Sequence, residues 1–171
     1  PSGAGLGNAS LHVEMREGSL IYAPRLQPQK TGISRIMQLK AADTLILGAH
    51  TPYPPQHHPS RKKEKDRLLH TVLSYLENGL FPVILCEPYA IAQEICKVLA
   101  DARIPLAVPR SIYRINKIYE AYGSDLGPYD LFHRKIREPH VLLMPSNHLE
   151  KRGLPLPPGP IFCVDESPHQ Q

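Results

Sequence analysis

The sequence predicts an α/β protein whose larger part is a small, doubly wound parallel sheet flanked by helices. The first observation is an alternation between residues 60 and 164, where short apolar runs of strand length follow segments with apolar residues at helical spacing. Such alternation favours parallel strands joined by right-handed crossovers. The second observation is a pair of proline clusters, at 52–59 and 154–160. Because prolines mark connecting segments, the clusters predict a division into residues 1–54, 55–160 and 161–171.

The amino-terminal segment is predicted to be mostly β-structure. Leu11 to Arg16 alternates between apolar and polar side chains, Glu17-Gly18 is a turn pair, and Leu20 to Ala23 is an apolar run, which together predict a β-hairpin. Ser34 can cap a short helix that runs to Lys40. The apolar run Thr44 to Leu47 then predicts a compact, buried strand.

Three helices and four strands are predicted in the rest of the chain. Two of the helices are followed by glycines, Gly79 and Gly123, which suit a helix C-terminus. In chain order, the helices are Arg61 to Asn78, Tyr89 to Ala102 and Ser111 to Tyr122, and the strands are Phe81 to Cys86, Leu106 to Val108, His140 to Met144 and Ile161 to Val164.

Composition limits the cellular context and the partners. The formal net charge is +4 at pH 7, which allows nucleic-acid contact without requiring it. The cysteines are odd in number and lie in apolar stretches, so we expect buried, reduced thiols and a cytoplasmic protein. No secretory signal and no run of about 18 apolar residues is visible in the sequence, which predicts no membrane span. The cysteines are Cys86, Cys96 and Cys163.

The first ten residues carry the most informative pattern, the glycine-rich loop Pro-Ser-Gly-Ala-Gly-Leu-Gly-Asn-Ala-Ser. It resembles the Pro-Ala-Gly-His-x-Leu-Gly-Ser-Ala loop of nucleases in the metallo-β-lactamase superfamily, β-CASP branch. Ala4 stands where that loop has a metal-binding histidine, and a methyl group has no lone pair for a metal. A phosphate-binding loop is the poorer interpretation, because neither a Lys-Ser/Thr ending nor a helix follows.

Three further segments resemble metal-site motifs of this family and lack their ligands. One resembles the strand ending Tyr-Thr-Gly-Asp-Phe, whose aspartate bridges two metal ions, and Arg25 stands at the aspartate position. Another resembles the strand that enters the β-CASP insertion, with Gly48 in place of an acidic residue. The last resembles the return strand into the core, with Ser167 at the position of a histidine.

The family's scaffold is matched over a longer stretch. Residues 89–94 and 141–146 are similar to β-CASP segments, and residues 105–108 and 115–123 are similar to those of the bacterial DNA-ligase-associated exonuclease. The resemblance implies that the first of the three predicted segments is the carboxyl-terminal part of a metallo-β-lactamase-like core. The second would be a β-CASP-like α/β domain and the third a return strand toward the core. The family's first metal motif, His-x-His-x-Asp-His, would lie upstream of Pro1, so we expect a piece of a longer gene product.

Active relatives resemble two-metal hydrolases, in which paired cations activate a water and stabilise charged oxygens at phosphorus. Arg25 would place a permanent positive charge where a divalent cation binds. The resemblance therefore implies a pseudoenzyme with no catalytic residue, no metal ligand and no cofactor. His50, His57 and His58 offer no better metal site, because adjacent side chains of an extended chain diverge and no carboxylate lies nearby to orient the rings.

Two clusters of cations are predicted to contact nucleic acid. The first opens the first long helix, where positive charge is unfavourable unless an anion is near. The members of the second are three or four residues apart and share one face of the third helix. A plain solvated surface is the alternative for both. The clusters are Arg61, Lys62 and Lys63, and Arg110, Arg114 and Lys117. The tyrosines of the third helix, Tyr113, Tyr119 and Tyr122, are expected to pack rather than to stack on bases.

The sequence thus predicts a non-catalytic member of the nucleic-acid-processing metallo-β-lactamase/β-CASP family. Its expected role is a scaffold that associates with DNA or RNA, or with a partner such as an active nuclease or a protein of a ligase system. One alternative is an active DNA or RNA exonuclease that uses zinc or manganese and takes its other ligands from upstream residues or a partner. The other is a small α/β module that binds a protein.

Overall fold

The computed structural model describes residues 2–27, 31–35, 40–48, 59–133, 138–148 and 159–164. The chain divides into two compact units, Pro1–Gln56 and His57–Gln171. Several sequence predictions fall outside the described residues: most of the helix from Ser34, most of both proline clusters, His50, His57, His58 and Ser167.

The first unit holds a three-stranded sheet in the order β1-β2-β3. Its strands are β1 Leu11–Met15, β2 Gly18–Ala23 and β3 Thr44–Leu47. β1 and β2 form the predicted antiparallel hairpin, and β3 runs parallel to β2. The Asp43 carboxylate fixes the start of β3, because it accepts hydrogen bonds from the Ser19 backbone N–H at 2.7 Å and from the Ser19 hydroxyl at 2.8 Å. These bonds hold the pKa of Asp43 below its usual value.

β3 is a strand, as predicted, but the prediction that it is buried was wrong. All four of its residues are exposed, and Leu45 and Leu47 each keep 49% of their surface in solvent. An apolar run predicts a strand, but it does not show whether another part of the protein packs on that strand. β3 lies at the edge of the described sheet and has β2 as its one neighbour there.

The second unit is a five-stranded, all-parallel sheet flanked by helices, which confirms the predicted fold class. The strand order is β6-β5-β7-β4-β8, and β8, the segment interpreted as a return strand, is an edge strand of this sheet. The strands are β4 Val83–Cys86, β5 Leu106–Val108, β6 Asp130–Leu131, β7 Val141–Pro145 and β8 Ile161–Val164. The helices are α1 Arg61–Glu77, α2 Ile91–Asp101 and α3 Arg110–Ala121.

The two central strands, β4 and β7, are buried along their whole length. Their continuous apolar runs are typical of strands that are covered on both faces of a parallel sheet. Side chains from the three middle strands form one core cluster, against which the partly buried Phe132 packs. The cluster consists of Val83, Leu85, Ala107, Leu142 and Met144.

Cysteines occupy both the core and the edge of this unit, and none of the three forms a disulfide. Cys86 and Cys96 are buried, as predicted, whereas Cys163, which lies on the edge strand β8 of the described sheet, is exposed. Burial raises the pKa of Cys86 far above its usual value, and it raises the pKa of Cys96 to about 12.

All three helices end in the same type of hydrogen-bonded turn, the Schellman motif. The first residue beyond the cap has a positive φ, and it is Gly79 after α1 (71°), Gly123 after α3 (85°) and Arg103 after α2 (56°). After α2, the Arg103 N–H donates to Ala100 O and the Ile104 N–H donates to Leu99 O, both at 2.9 Å. Within the described residues, no helix combines the length and the apolar character that a membrane span requires.

Candidate nucleic-acid interface

The glycine-rich opening loop of the first unit is a closed turn. The Ser2 N–H donates to Asn8 O at 3.0 Å, and the Asn8 N–H donates to Gly5 O at 3.2 Å. Gly3 and Gly7 have φ values of 81° and 82°, a conformation that favours glycine. Two further bonds fix the loop to later segments of the unit: Ser2 O accepts from the Gln27 N–H, and Gly3 O accepts from the Ser34 hydroxyl. The loop therefore has a structural role that does not depend on a bound metal.

The space at position 48 excludes a side chain. A Cβ atom built on Gly48 would lie 2.1 Å from the carbonyl oxygen of Pro24, and the Gly48 N–H donates to Ala23 O at 3.2 Å. An aspartate or glutamate could enter here only if the backbone moved. The glycine is thus explained by the close approach of two chain segments.

Three of the four positions that the resemblance aligns with metal ligands are described, and none of the three offers a metal ligand. Ala4 offers a methyl group, Arg25 an exposed guanidinium and Gly48 no side chain, while zinc needs imidazole, thiolate or carboxylate ligands. In the described ranges, no group of three or more histidine, cysteine, aspartate or glutamate side chains could hold a metal ion. The absence of a metal site over the whole chain stays a prediction, because Ser167 and four histidines lie outside those ranges.

On α1 of the second unit, the first cluster of cations is divided between an internal ion pair and solvent. Arg61 forms a two-pronged contact with the Glu94 carboxylate of α2, to which Lys65 Nζ also binds at 3.1 Å. These contacts connect α1 to α2. Lys62 and Lys63 are exposed and form no ion pair with any described carboxylate.

Lys117 is also engaged within the protein. Its Nζ lies 2.8 Å from Glu120 Oε2, and it lies over the rings of Tyr113 and Tyr129, at 5.1 and 5.4 Å from their centroids. The Tyr129 hydroxyl donates to Glu120 Oε1 at 2.6 Å, which closes the cluster. Lys117 therefore has less freedom to reach a phosphate than the sequence suggests.

Charge and hydrogen bonding in this cluster reinforce each other. The hydrogen bond to Glu120 raises the pKa of Lys117 above its usual value. Burial acts to raise the pKa of Glu120, but the hydrogen bonds from Lys117 and Tyr129 outweigh it, and the net pKa is lowered. The cluster is a stable, internally paired charge group at neutral pH.

Arg110 and Arg114 are the remaining members of the second cluster, and both are exposed. Neither forms an ion pair with any residue that the structure describes. Arg110 is the first residue of α3 and follows the carboxyl end of β5 after a single proline. In open α/β sheets, ligands bind beyond the carboxyl ends of the strands. Arg110 and Arg114 thus lie four residues apart on one face of α3, and Arg110 is next to a favourable edge of the sheet.

Two exposed side chains at the carboxyl end of α3, Ile118 and the C-cap residue Tyr122, were not among the predicted contacts. Ile118 keeps 54% of its surface in solvent and Tyr122 keeps 75%. The expectation that tyrosines of this helix pack inside holds for Tyr119, which is 1% exposed and contacts Tyr89 edge-to-face. It was wrong for Tyr122, which follows the last residue of α3 as its C-cap and is exposed there. The spacing in the sequence could have indicated this exposure. Residues at multiples of four follow one ridge of a helix, and Tyr122 lies eight residues after Arg114.

Comparison with known proteins adds no assignment: no family model matches this chain, and no curated protein sequence matches it.

Proposed function

We propose that this chain is a non-catalytic, nucleic-acid-associated scaffold with a metallo-β-lactamase/β-CASP fold, and that it functions in the cytoplasm. The observation that carries the proposal is the pair Arg110 and Arg114, two exposed guanidinium groups on one face of α3. Guanidinium groups form two-pronged, charge-assisted hydrogen bonds with phosphate oxygens. Two of them along one helix face suit the phosphates of a nucleic-acid backbone.

The field at the start of α3 favours an anion as well. Pro109 caps the helix without a side-chain hydrogen bond, and the first turn contains no acidic residue. The backbone N–H groups of that turn carry the positive end of the helix dipole. Lys62 and Lys63, exposed on α1 of the same unit, add positive charge.

The non-catalytic half of the proposal depends on the chemistry of three positions. Ala4 and Gly48 lack donor atoms, and Gly48 has no space for one. Arg25 adds a positive charge that would repel a divalent cation. A scaffold that retains the loop and loses its ligands is the simplest account of these residues.

Binding of a fluorescently labelled single-stranded oligonucleotide, measured by anisotropy at several salt concentrations, tests the proposal. The value of log K falls as log salt rises, and each lost phosphate contact reduces the magnitude of that slope by about 0.7 for a single strand, so Arg110→Ala with Arg114→Ala should reduce it by about 1.4. The matched control, Arg16→Ala with Arg103→Ala, also removes two exposed charges and should leave the slope unchanged.

Two results would contradict this function. Hydrolysis of the oligonucleotide in zinc or manganese, lost on chelation, would establish the active exonuclease instead. If the wild-type chain binds no oligonucleotide even at low salt, the nucleic-acid role fails.

A protein-binding role is the second candidate, and the first unit supplies the observation for it. Leu11, Tyr22 and Ile46 lie side by side across the three strands and are 59%, 45% and 46% exposed, and Met15 at 61% shares their face. An exposed apolar group of this kind is typical of a surface that binds a protein. The partner proposed for it is an active nuclease or a protein of a ligase system.

A further inference from the structure

One continuous row of exposed side chains, at positions 110, 114, 118 and 122, follows the outer side of α3 and ends at its C-cap residue. Residues four apart form a ridge on a helix surface, and each step advances about 6 Å along the axis, so the row spans about 18 Å. The opposite side of α3 is anchored in the core by Ile112, Asn116 and Tyr119. The helix cannot rotate without losing that packing, so the row faces solvent permanently. We refer to Arg110, Arg114, Ile118 and Tyr122 as the α3 ridge.

The α3 ridge changes character along its length. Its first half carries two arginines, and its second half carries an aliphatic and an aromatic side chain that are 54% and 75% exposed. Tyr122 is more exposed than any other large apolar side chain of the described residues. Lys117 does not belong to the ridge, because its ammonium group is held by Glu120 and two tyrosine rings.

We infer that the α3 ridge binds a single strand of nucleic acid, with Arg110 and Arg114 on its phosphates and Tyr122 stacked on a base. The inference rests on the proposed function and names its substrate class. Single strands bind where cations follow the backbone and aromatic rings stack on unpaired bases. A regular duplex keeps its base faces covered, so a tyrosine on a convex ridge could not reach them.

The charge of the ridge favours this occupant over a protein. The row contains two cations and no acidic residue, and the nearby Glu120 carboxylate is already neutralised by Lys117. A strand of phosphates complements such a surface along its charged half, while bases complement its apolar half. A protein partner is an outcome that the experiment below distinguishes.

The sequence contains no tryptophan, which permits a direct test of stacking. Tyr122→Trp in the 171-residue chain introduces a single indole, whose fluorescence should be quenched by a 12-nucleotide oligothymidine and not by a duplex of equal length. The matched control is Leu73→Trp, which places the indole on α1 at a site that is 43% exposed. Equal quenching of both variants, or equal quenching by strand and duplex, would overturn the inference.

Affinity and salt dependence separate stacking from charge. A stacked ring contributes about 1 kcal/mol or more, so Tyr122→Ala should weaken single-strand binding about fivefold or more without changing the salt slope. Tyr122→Phe keeps the ring and should keep the affinity. Circular dichroism and thermal unfolding of each variant show that the fold is intact.

The failure of this inference can be distinguished from the failure of the proposed function. If the wild-type chain binds oligonucleotides and Tyr122→Ala does so equally well, the inference fails and the proposed function stands. If no oligonucleotide binds at all, both fail. If Tyr122→Ala abolishes binding to a purified protein and leaves oligonucleotide binding unchanged, the ridge is a protein surface and the inference is wrong.

Discussion

At position 48, the carbonyl oxygen of Pro24 determines which residues the backbone can accept. A Cβ atom would lie 2.1 Å from that oxygen, inside any tolerable contact. The pairing of β2 with β3 ends at Ala23 and Leu47, so the close approach follows directly from the end of the sheet. Gly48, which the sequence resemblance places where relatives have an acidic residue, is therefore also required by the local fold.

Gly48→Ala should lower the free energy of unfolding by about 1–3 kcal/mol, which is typical of overpacking at a site that cannot relax. Gly48→Asp should cost at least as much, because it adds an acid to the same clash. The control is Gly32→Ala: its Cβ would meet no atom within 4 Å, and with φ at 84° its cost comes from the backbone alone. Urea unfolding measures all three variants, and a Gly48→Asp variant as stable as wild type would refute this explanation.

The three helices show how one turn geometry is met by different residues. Glycine occupies the positive-φ position after α1 and α3, while Arg103 occupies it after α2. For a residue with a Cβ atom, this conformation costs roughly 1 kcal/mol relative to glycine. The turn nevertheless forms, because its two backbone hydrogen bonds and the packing of α2 against the sheet compensate for the cost.

Arg103→Gly should therefore raise the free energy of unfolding by about 0.5–1 kcal/mol. The reverse changes, Gly79→Ala and Gly123→Ala, should lower it by a similar amount, since neither new Cβ would contact another atom and only the backbone conformation is affected. Thermal or urea unfolding gives the sign directly. If Arg103→Gly were destabilising, the arginine side chain would have a stabilising contact greater than the backbone cost.

Over the whole molecule, the sequence predicts the elements that have a periodic apolar pattern. It does not predict features that form only through contact with residues far away in the chain. Alternating apolar strands and amphipathic helices were sufficient for the parallel sheet, and Gly79 and Gly123 marked two helix ends. The strand β6 was missed, because two residues, Asp130 and Leu131, form no pattern until they pair with β5.

The candidate site shows the same division. The spacing of Arg110 and Arg114 predicts their common face, and the structure places both in solvent. The ion pair between Arg61 and Glu94 joins residues 33 positions apart, and the ring of Tyr129 reaches Lys117 from a loop without regular structure. No local pattern could predict either contact, and both determine which cations remain exposed.

The buried thiols of the second unit should make the stability of the whole chain depend on pH above neutrality. In the unfolded chain, cysteines ionise near their reference pKa of 9.0, whereas burial raises the pKa of Cys96 to about 12 and that of Cys86 still further. Between pH 8 and pH 10 the unfolded state therefore loses protons that the folded state keeps, and stability falls by about 1.4 kcal/mol per thiol. Urea unfolding at both pH values, under reducing conditions, should show the combined fall from both thiols in the wild type. Cys86→Ala should show roughly half of that combined fall. Cys163→Ala removes an exposed thiol and should behave as wild type. An unchanged fall in Cys86→Ala would mean that other groups cause the alkaline loss of stability.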